Sequence, residues 1–133
     1  MKVEGQCHCG QISFEAEIDP NAVRLCHCTD CQTLSGSAYR VNVQARADSF
    51  RLLSGQPKIY IKTAESGSKR AQAFCPNCGT SIYSAASHDT PSYGLRVSTL
   101  KQRAQLQPSR QIWFRSAQPW ATDLRNVQHS ERQ

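Results

Sequence analysis

The chain alternates hydrophobic and polar residues in short stretches separated by turn-forming residues. The alternation is regular over residues 12–18 and returns over residues 39–43, and this period of two residues predicts strands with one buried face. Further strands are predicted at residues 23–25, 50–53, 58–61, 71–74, 81–83, 93–97 and 112–114. No stretch keeps a helical period for three turns, although residues 29–34 are long enough for one turn of helix. The pattern therefore predicts an all-β domain.

Length and composition indicate a single domain with a modest core. The chain has 133 residues, only 38% of them hydrophobic, and a mean hydropathy of −0.57. We assign residues 1–120 to this domain and expect the polar residues 121–133 to form a loose tail. The first residues carry no apolar targeting segment, and no apolar run approaches the ~20 residues that span a bilayer. We therefore expect a cytoplasmic protein with no membrane partner.

The seven cysteines indicate metal binding rather than disulfides, because a reducing compartment disfavours disulfides and seven thiols cannot all pair. They form three clusters: CHCG at residues 7–10, CHCTDC at residues 26–31 and CPNCG at residues 75–79. The formal net charge of +6 would suit an anionic partner such as a nucleic acid. However, a four-thiolate zinc carries about −2 and a three-thiolate zinc about −1, which lowers that charge from +6 to about +3. We therefore expect no nucleic-acid partner.

The first and third clusters together offer a complete tetrahedral metal site. Cys75 and Cys78 have the spacing of a zinc knuckle, and Gly79 permits the positive φ that such a turn needs. Cys7 and Cys9 are closer together but are also followed by a glycine. Four thiolates fill the coordination shell of a structural zinc, which can contribute on the order of 10 kcal/mol to folding. We therefore predict a structural zinc on these four cysteines.

Cys26, Cys28 and Cys31 remain, and three ligands with an open fourth position are the layout of a catalytic zinc. Three thiolates push negative charge onto the metal, so the site suits an incoming thiol better than it suits the acidification of water. Alternatively, a fourth protein ligand would make the site structural. His27 is the nearest candidate, but in an extended segment its side chain points away from its neighbours, and His8 meets the same objection. One metal with spare thiols is a further alternative.

The three cysteine motifs and their flanking residues resemble those of one known family. GQCHCGQISF, LCHCTDCQTLSGS and FCPNCGTSIY occur in this order, and the ending PSRQIWFRSAQPW is also similar. They resemble the glutathione-dependent formaldehyde-activating enzyme family (the centromere-protein-V/GFA domain) over residues 3–120. The resemblance implies an all-β, Mss4-like fold of small twisted antiparallel sheets with zinc knuckles. It also implies a structural zinc on the first and third clusters and a catalytic zinc on the second, in agreement with the ligand count.

The implied reaction is the addition of glutathione to formaldehyde, which gives S-hydroxymethylglutathione. We therefore expect a carbon–sulfur lyase-type enzyme with two zinc ions, whose partners are a small thiol and an aldehyde. The loop of Ser35, Gly36 and Ser37 could hold the substrate's carboxylates or the developing alkoxide, although a simple turn is an equal alternative. Arg40 and Arg115 are candidate partners for a carboxylate, although surface arginines without such a role are commoner.

The chain departs from the family pattern at two positions, and other functions compete with this interpretation. Lys101 stands where the family often has an acidic residue, and Gln111 where a histidine often follows the late proline. Neither change touches a predicted ligand, so both bear on the substrate. A non-catalytic zinc-binding interaction module would have the same cysteines. A nucleic-acid-binding zinc domain is disfavoured because the chain has no zinc finger with two cysteines and two histidines at the usual spacing. A methionine sulfoxide reductase is disfavoured because it needs two CxxC pairs and a separate nucleophilic cysteine, whereas Cys7 and Cys9 have the spacing CxC.

Overall fold

The computed structural model describes all 133 residues of the chain. Its strands are β1 (Lys2–Gln6), β2 (Ser13–Cys26), β3 (Arg40–Arg46), β4 (Arg51–Ser54), β5 (Lys58–Thr63), β6 (Lys69–Phe74), β7 (Ser81–Ala86), β8 (Ser92–Arg96) and β9 (Arg110–Ile112). The structure has one α-helix, α1 (Thr29–Ser35), between β2 and β3. Four short 3₁₀ helices lie between strands or follow the last one: Ala47–Ser49, Val97–Thr99, Arg103–Gln105 and Phe114–Ser116. None of these helices has the length and apolar character needed to cross a membrane. The predicted all-β fold class is confirmed.

The long strand β2 has two sets of partners, and this places its last residue at a junction. Neighbouring strands follow the order β1-β2-β3-β8-β7-β6-β5, and β4 and β9 also pair with β2. The first half of β2 pairs with β1 and β4, whereas its end pairs antiparallel with β3 and parallel with β9. Its register against β3 shifts between Ile18 and Val23. Cys26 therefore lies beside Arg40 of β3 on one side and Ile112 of β9 on the other.

The structure differs from the predicted strands at several places. The sequence pattern missed β1, because Val3 is the one large apolar residue that this strand buries. The separate strands predicted at residues 12–18 and 23–25 are parts of the continuous β2. The strand predicted at residues 112–114 was wrong beyond Ile112, because Trp113 has a left-handed φ of 55° and turns the chain into a 3₁₀ turn.

A single hydrophobic core joins the two halves of β2 to β7 and β8. The largest fully buried hydrophobic side chains are those of Phe14, Ile12, Ile82, Leu95 and Leu100. Cys7 and Cys75 belong to the same buried cluster, so one of the cysteine groups is built into the core. After Ala121, the last buried residue, the chain is exposed and forms only turns.

Candidate metal centres

The sulfurs of Cys7, Cys9, Cys75 and Cys78 all lie within 4.8 Å of one another, and each residue offers one ligand atom. The Sγ of Cys9 lies 3.6 Å from the Sγ of Cys7 and 3.8 Å from that of Cys75, and all seven cysteines of the chain are free thiols. We call this group the four-cysteine cluster. It joins the segment after β1 to the turn between β6 and β7, which are far apart in the sequence, so a bound ion would cross-link the two halves of the domain.

Two similar turns hold the four-cysteine cluster. The N–H of Gly10 donates to the carbonyl of Cys7 at 3.1 Å, and the N–H of Gly79 donates to the carbonyl of Cys75 at 2.8 Å. Both glycines have positive φ, of 81° and 75°, a conformation that other residues adopt only at a cost. The N–H of Ile12 donates to the Sγ of Cys7 at 3.2 Å, as expected for an amide that stabilises a thiolate ligand.

Thr80 connects the two turns through its side chain. Its Oγ1 accepts a hydrogen bond from the N–H of His8 at 3.1 Å and lies 3.1 Å from the Sγ of Cys78. The hydroxyl bond from Thr80, with backbone N–H groups, lowers the pKa of Cys78 to about 5, which favours the thiolate form of this sulfur. A hydrogen bond from the Asn77 side chain is the main cause of a lowered pKa at Cys9. These contacts prepare two of the four sulfurs to bind a cation.

Cys26, Cys28 and Cys31, which we call the three-cysteine cluster, also hold their sulfurs within 4.8 Å of one another. Cys26 ends β2, Cys28 is the N-cap of α1, and Cys31 lies in the first turn of that helix. The N–H of Cys31 donates to the Sγ of Cys28 at 3.3 Å, which is a normal role for an N-cap side chain. Cys26 is buried, whereas the other two are half-buried. The cluster is thus open on the side of the helix.

The thiols of the three-cysteine cluster differ in acidity. A hydrogen bond from Cys31 lowers the pKa of Cys26, and the same bond, together with burial, raises the pKa of Cys31 well above its usual range. Burial also raises the pKa of Cys28. These shifts favour ionisation of Cys26 over the other two thiols, and a bound cation would compensate for the charge of all three thiolates. Each of the two clusters could hold a metal ion, and sets of three or four thiolates are typical of zinc.

His27 lies between two of these cysteines but is not grouped with them, and neither is His8. The ring of His27 is fully buried, where it packs edge-on against Tyr39 and Phe114 at centroid distances of 5.4 and 5.6 Å. Its Nε2 lies 2.7 Å from Oε1 of Gln111, which can only accept, so Nε2 carries the proton. As expected for an extended segment, this ring points away from its neighbours. It anchors the peptide that joins Cys26 to Cys28.

Two glutamines that fix this peptide and the helix, Gln32 and Gln118, were not predicted from the sequence. Nε2 of Gln32 donates to the carbonyl of His27 at 2.7 Å and to that of Ser116 at 2.9 Å, and Oε1 of Gln32 accepts from Gln118 at 2.9 Å. The N–H of His27 donates to the carbonyl of Ile112 at 3.1 Å. The segment from β9 onward therefore holds the three-cysteine cluster in place. The only signal for this role was the resemblance of the segment to the family's ending.

One cavity is lined by a residue of the three-cysteine cluster, and a larger one lies near the cluster. A cavity of about 340 Å³ is lined by Cys28, Thr29, Asp30, Lys62, Ala64, Glu65, Trp113, Arg115 and Ser116. Arg115, a predicted carboxylate partner, lines this cavity with Glu65, 3.4 Å away. The predicted loop lies elsewhere, since Ser35 and Ser37 line a larger cavity of about 840 Å³ at the C-terminal end of α1. Gly36 caps the helix with a φ of 64°, and the other predicted arginine, Arg40, is buried at the base of the larger cavity.

Comparisons with known proteins find one family and several similar proteins. The family profile described as glutathione-dependent formaldehyde-activating enzyme matches residues 2–116. A Halomonas elongata protein, provisionally named a glutathione-dependent formaldehyde-activating enzyme, is 30% identical over 62% of this chain and 55% of its own length. The match thus spans about half of that relative. An uncharacterized lyase of Schizosaccharomyces pombe is 27% identical over 74% of this chain and 68% of its own length.

The fold also occurs in a solved structure. The crystal structure of a Rhodobacter sphaeroides protein from structural genomics aligns with a TM-score of 0.63 and 21% identity, over 81% of this chain and 98% of that protein. This likeness concerns the fold alone. The family profile, by contrast, covers both cysteine clusters and the segment that holds them. The chain therefore belongs to the glutathione-dependent formaldehyde-activating enzyme family.

Proposed function

We propose that this protein is a zinc-dependent carbon–sulfur lyase-type enzyme that adds a thiol, glutathione or a relative of it, to formaldehyde or another small aldehyde. The observation that carries the proposal is the convergence of three sulfurs beside a cavity, with no fourth metal-ligating side chain grouped with them. The four-cysteine cluster offers a closed set of ligands, so its proposed role is structural. We propose two zinc ions per chain and a reducing compartment, the cytoplasm, where these thiols stay reduced.

The three-cysteine cluster fits zinc on the chemistry of its donors. Three soft sulfurs converge on one point, and two of them have raised pKa values that a bound cation would offset. A zinc ion held there would supply a Lewis acid that keeps an incoming thiol deprotonated at neutral pH.

We propose that the reaction takes place in the smaller cavity, which Cys28 lines. The sulfur of the thiol forms a bond to the aldehyde carbon, the carbonyl π bond breaks, and the proton lost by the thiol ends on the former carbonyl oxygen. Nothing is oxidised or reduced. Lys62 lines the smaller cavity with its Nζ 2.9 Å from Oδ2 of Asp30, and its side chain is only 18% exposed. We assign to Lys62 a hydrogen bond to the oxygen that becomes negative during the attack.

The loop of Ser35, Gly36 and Ser37 stays our proposal for a substrate-binding segment. It follows α1 directly, and its two serines face the larger cavity together with Arg40. A thiol substrate as long as a tripeptide would extend from the three-cysteine cluster into one of the two cavities. In the smaller cavity Arg115 is already paired with Glu65. Arg40 takes part in no ion pair, so of the two predicted arginines it is the better candidate to bind a carboxylate of the substrate.

The test measures zinc content and thiol–formaldehyde exchange in the wild type, Cys28→Ser and Cys75→Ser. We expect about two zinc ions per wild-type chain, about one in a folded Cys28→Ser variant, and an unfolded Cys75→Ser variant, because a structural site contributes folding free energy. Exchange, followed by NMR with glutathione and formaldehyde, should exceed the uncatalysed rate in the wild type alone. If wild-type exchange matched the background with both zinc ions present, the enzymatic proposal would fail and the interaction module would be favoured.

A further inference from the structure

Two arginines are buried side by side without an acidic partner. Arg40 is 5% exposed and Arg96 is 3% exposed. Nη1 of Arg40 and Nη2 of Arg96 donate to the same atom, Oε1 of Gln72, at 3.1 and 3.0 Å. Neither arginine takes part in any of the ion pairs of the structure. Two like charges that share one neutral acceptor are costly to bury, so the pair needs a negative group nearby.

The two guanidinium groups differ in how completely they are bonded. Arg96 also donates to Asn42 at 2.6 Å, to Ser84 and the Gly94 carbonyl at 3.3 Å, and to Ser81 at 3.4 Å. Burial, followed by the charge of Arg40, lowers the pKa of Arg96 to about 9. Arg40 has only its bond to Gln72, and its Nε is buried with no partner at all. Arg96 is therefore held rigidly, whereas Arg40 has donors available for a ligand.

The pair lies where a substrate of the three-cysteine cluster would extend. Both arginines line the larger cavity, of about 840 Å³, between α1 and the turn that follows Cys78. Six residues that bear hydroxyl groups line the same cavity: Ser35, Ser37, Tyr39, Thr80, Ser81 and Ser98. Arg40 is the direct cross-strand partner of Cys26, and such partners project from the same face of a sheet with Cβ atoms about 5 Å apart. The cavity is thus adjacent to the cluster.

The charges do not balance without a further anion. A divalent zinc held by three thiolates carries about −1, against two buried guanidinium groups. One positive charge remains uncompensated, and Arg40, which has no acidic partner, lines the cavity. Guanidinium groups bind carboxylates through paired hydrogen bonds, which become stronger away from water.

We propose that Arg40 and Arg96 form an anion subsite that receives a carboxylate of the substrate while the substrate reacts at the three-cysteine cluster. The inference deepens the proposed function and rests on it only for the identity of the reacting groups. The carboxylate belongs either to the thiol, as in glutathione, or to the aldehyde, as in glyoxylate. Arg40 makes the contact, and Arg96 positions Gln72 and adds charge.

The first test needs no variant. Zinc-loaded wild-type protein is titrated calorimetrically with S-methylglutathione and with its dimethyl ester, in which both carboxylates are blocked. We expect the free acid to bind at least tenfold more tightly if the thiol carries the carboxylate. Glyoxylate is titrated in parallel, with acetaldehyde as its uncharged counterpart, and a preference in this arm alone assigns the carboxylate to the aldehyde. Because S-methylglutathione has no free thiol, its binding does not depend on whether the addition reaction occurs.

Variants then locate the subsite. Arg40→Gln should abolish the preference for the charged ligand, Arg40→Lys should retain part of it, and Arg125→Gln should leave it unchanged. Arg125 is a matched control because it is exposed and contacts only Asp123. Absence of any preference in the wild type, or an equal preference in Arg40→Gln, would overturn the proposal. Loss of one zinc from Arg40→Gln with an unchanged preference for the charged ligand would also overturn it. The two arginines would then only compensate for the charge of the thiolates.

Discussion

Replacement of Gln32 by alanine tests how the three-cysteine cluster is held. The side chain of Gln32 donates to the carbonyls of His27 and Ser116, at 2.7 and 2.9 Å, and both bonds are partly buried. Its third bond, from Gln118, is exposed and should contribute little. In Gln32→Ala the carbonyl of His27 loses the donor from α1, so the peptide between Cys26 and Cys28 is no longer tied to that helix.

Two partly buried hydrogen bonds of about 0.5–1.5 kcal/mol each give an expected loss of about 1–3 kcal/mol in the free energy of unfolding. The better helix propensity of alanine offsets this loss by only a few tenths of a kcal/mol. For a chain of this length, about 1–3 kcal/mol corresponds to a decrease in Tm of roughly 3–12 °C. The zinc at the three-cysteine cluster should also be lost to a chelator sooner, whereas the zinc at the four-cysteine cluster should be retained.

The assay is thermal unfolding of the zinc-loaded protein, combined with zinc release to a colorimetric chelator. Thr33→Ala is the control, because Thr33 is the next residue of α1, is exposed and makes no side-chain hydrogen bond. A decrease in Tm no greater than that of Thr33→Ala would mean that the bonds of Gln32 do not stabilise the fold. An equal loss of zinc from both clusters would refute the assignment of Gln32 to the three-cysteine cluster.

Three further predictions concern the rest of the framework. In Gly5→Ala the new Cβ would lie 2.1 Å from the ring of Phe14, so we expect a loss of at least about 2 kcal/mol in chemical unfolding, partly recovered in a double variant with Phe14→Leu. Purely additive effects would contradict this steric explanation. Thr80→Val removes the hydroxyl beside the sulfur of Cys78 and should speed chelation of zinc from the four-cysteine cluster, whereas Thr80→Ser should not. Equal rates for both variants would show that the hydroxyl is unimportant. On acidification the three-cysteine cluster should release zinc first, because protons compete with the metal for the thiolates and three protein ligands hold an ion less tightly than four. One common release step would contradict this order.

Spacing and period made much of the molecule predictable. The CxxC knuckle and the glycine that follows it are local features, since the turn depends on a positive φ at Gly79. The two-residue alternation indicated the strands that bury one face, and it failed at β1, where Gly5 stands in place of a large apolar residue. The prediction of a strand at residues 112–114 was wrong beyond Ile112, because no local pattern indicates the left-handed conformation of Trp113.

The residues around the cysteines could not be predicted in this way. Gln111 and His27 are 84 positions apart, as are Gln32 and Ser116, and only the parallel pairing of β9 with β2 brings them together. Arg96 is the last residue of β8, and its burial depends on β8 lying between β3 and β7.

The sequence by itself determined which side chains are available as metal ligands and how they divide into a group of four and a group of three, because thiol chemistry and short spacings are local properties. The tertiary structure decided what surrounds those ligands. In the folded chain two arginines without an acidic partner lie beside the three-cysteine cluster. The loop of residues 35–37 lines the same cavity as these arginines and not the cavity of Cys28. Such an environment depends on contacts between segments far apart in the chain, which residue spacing does not encode.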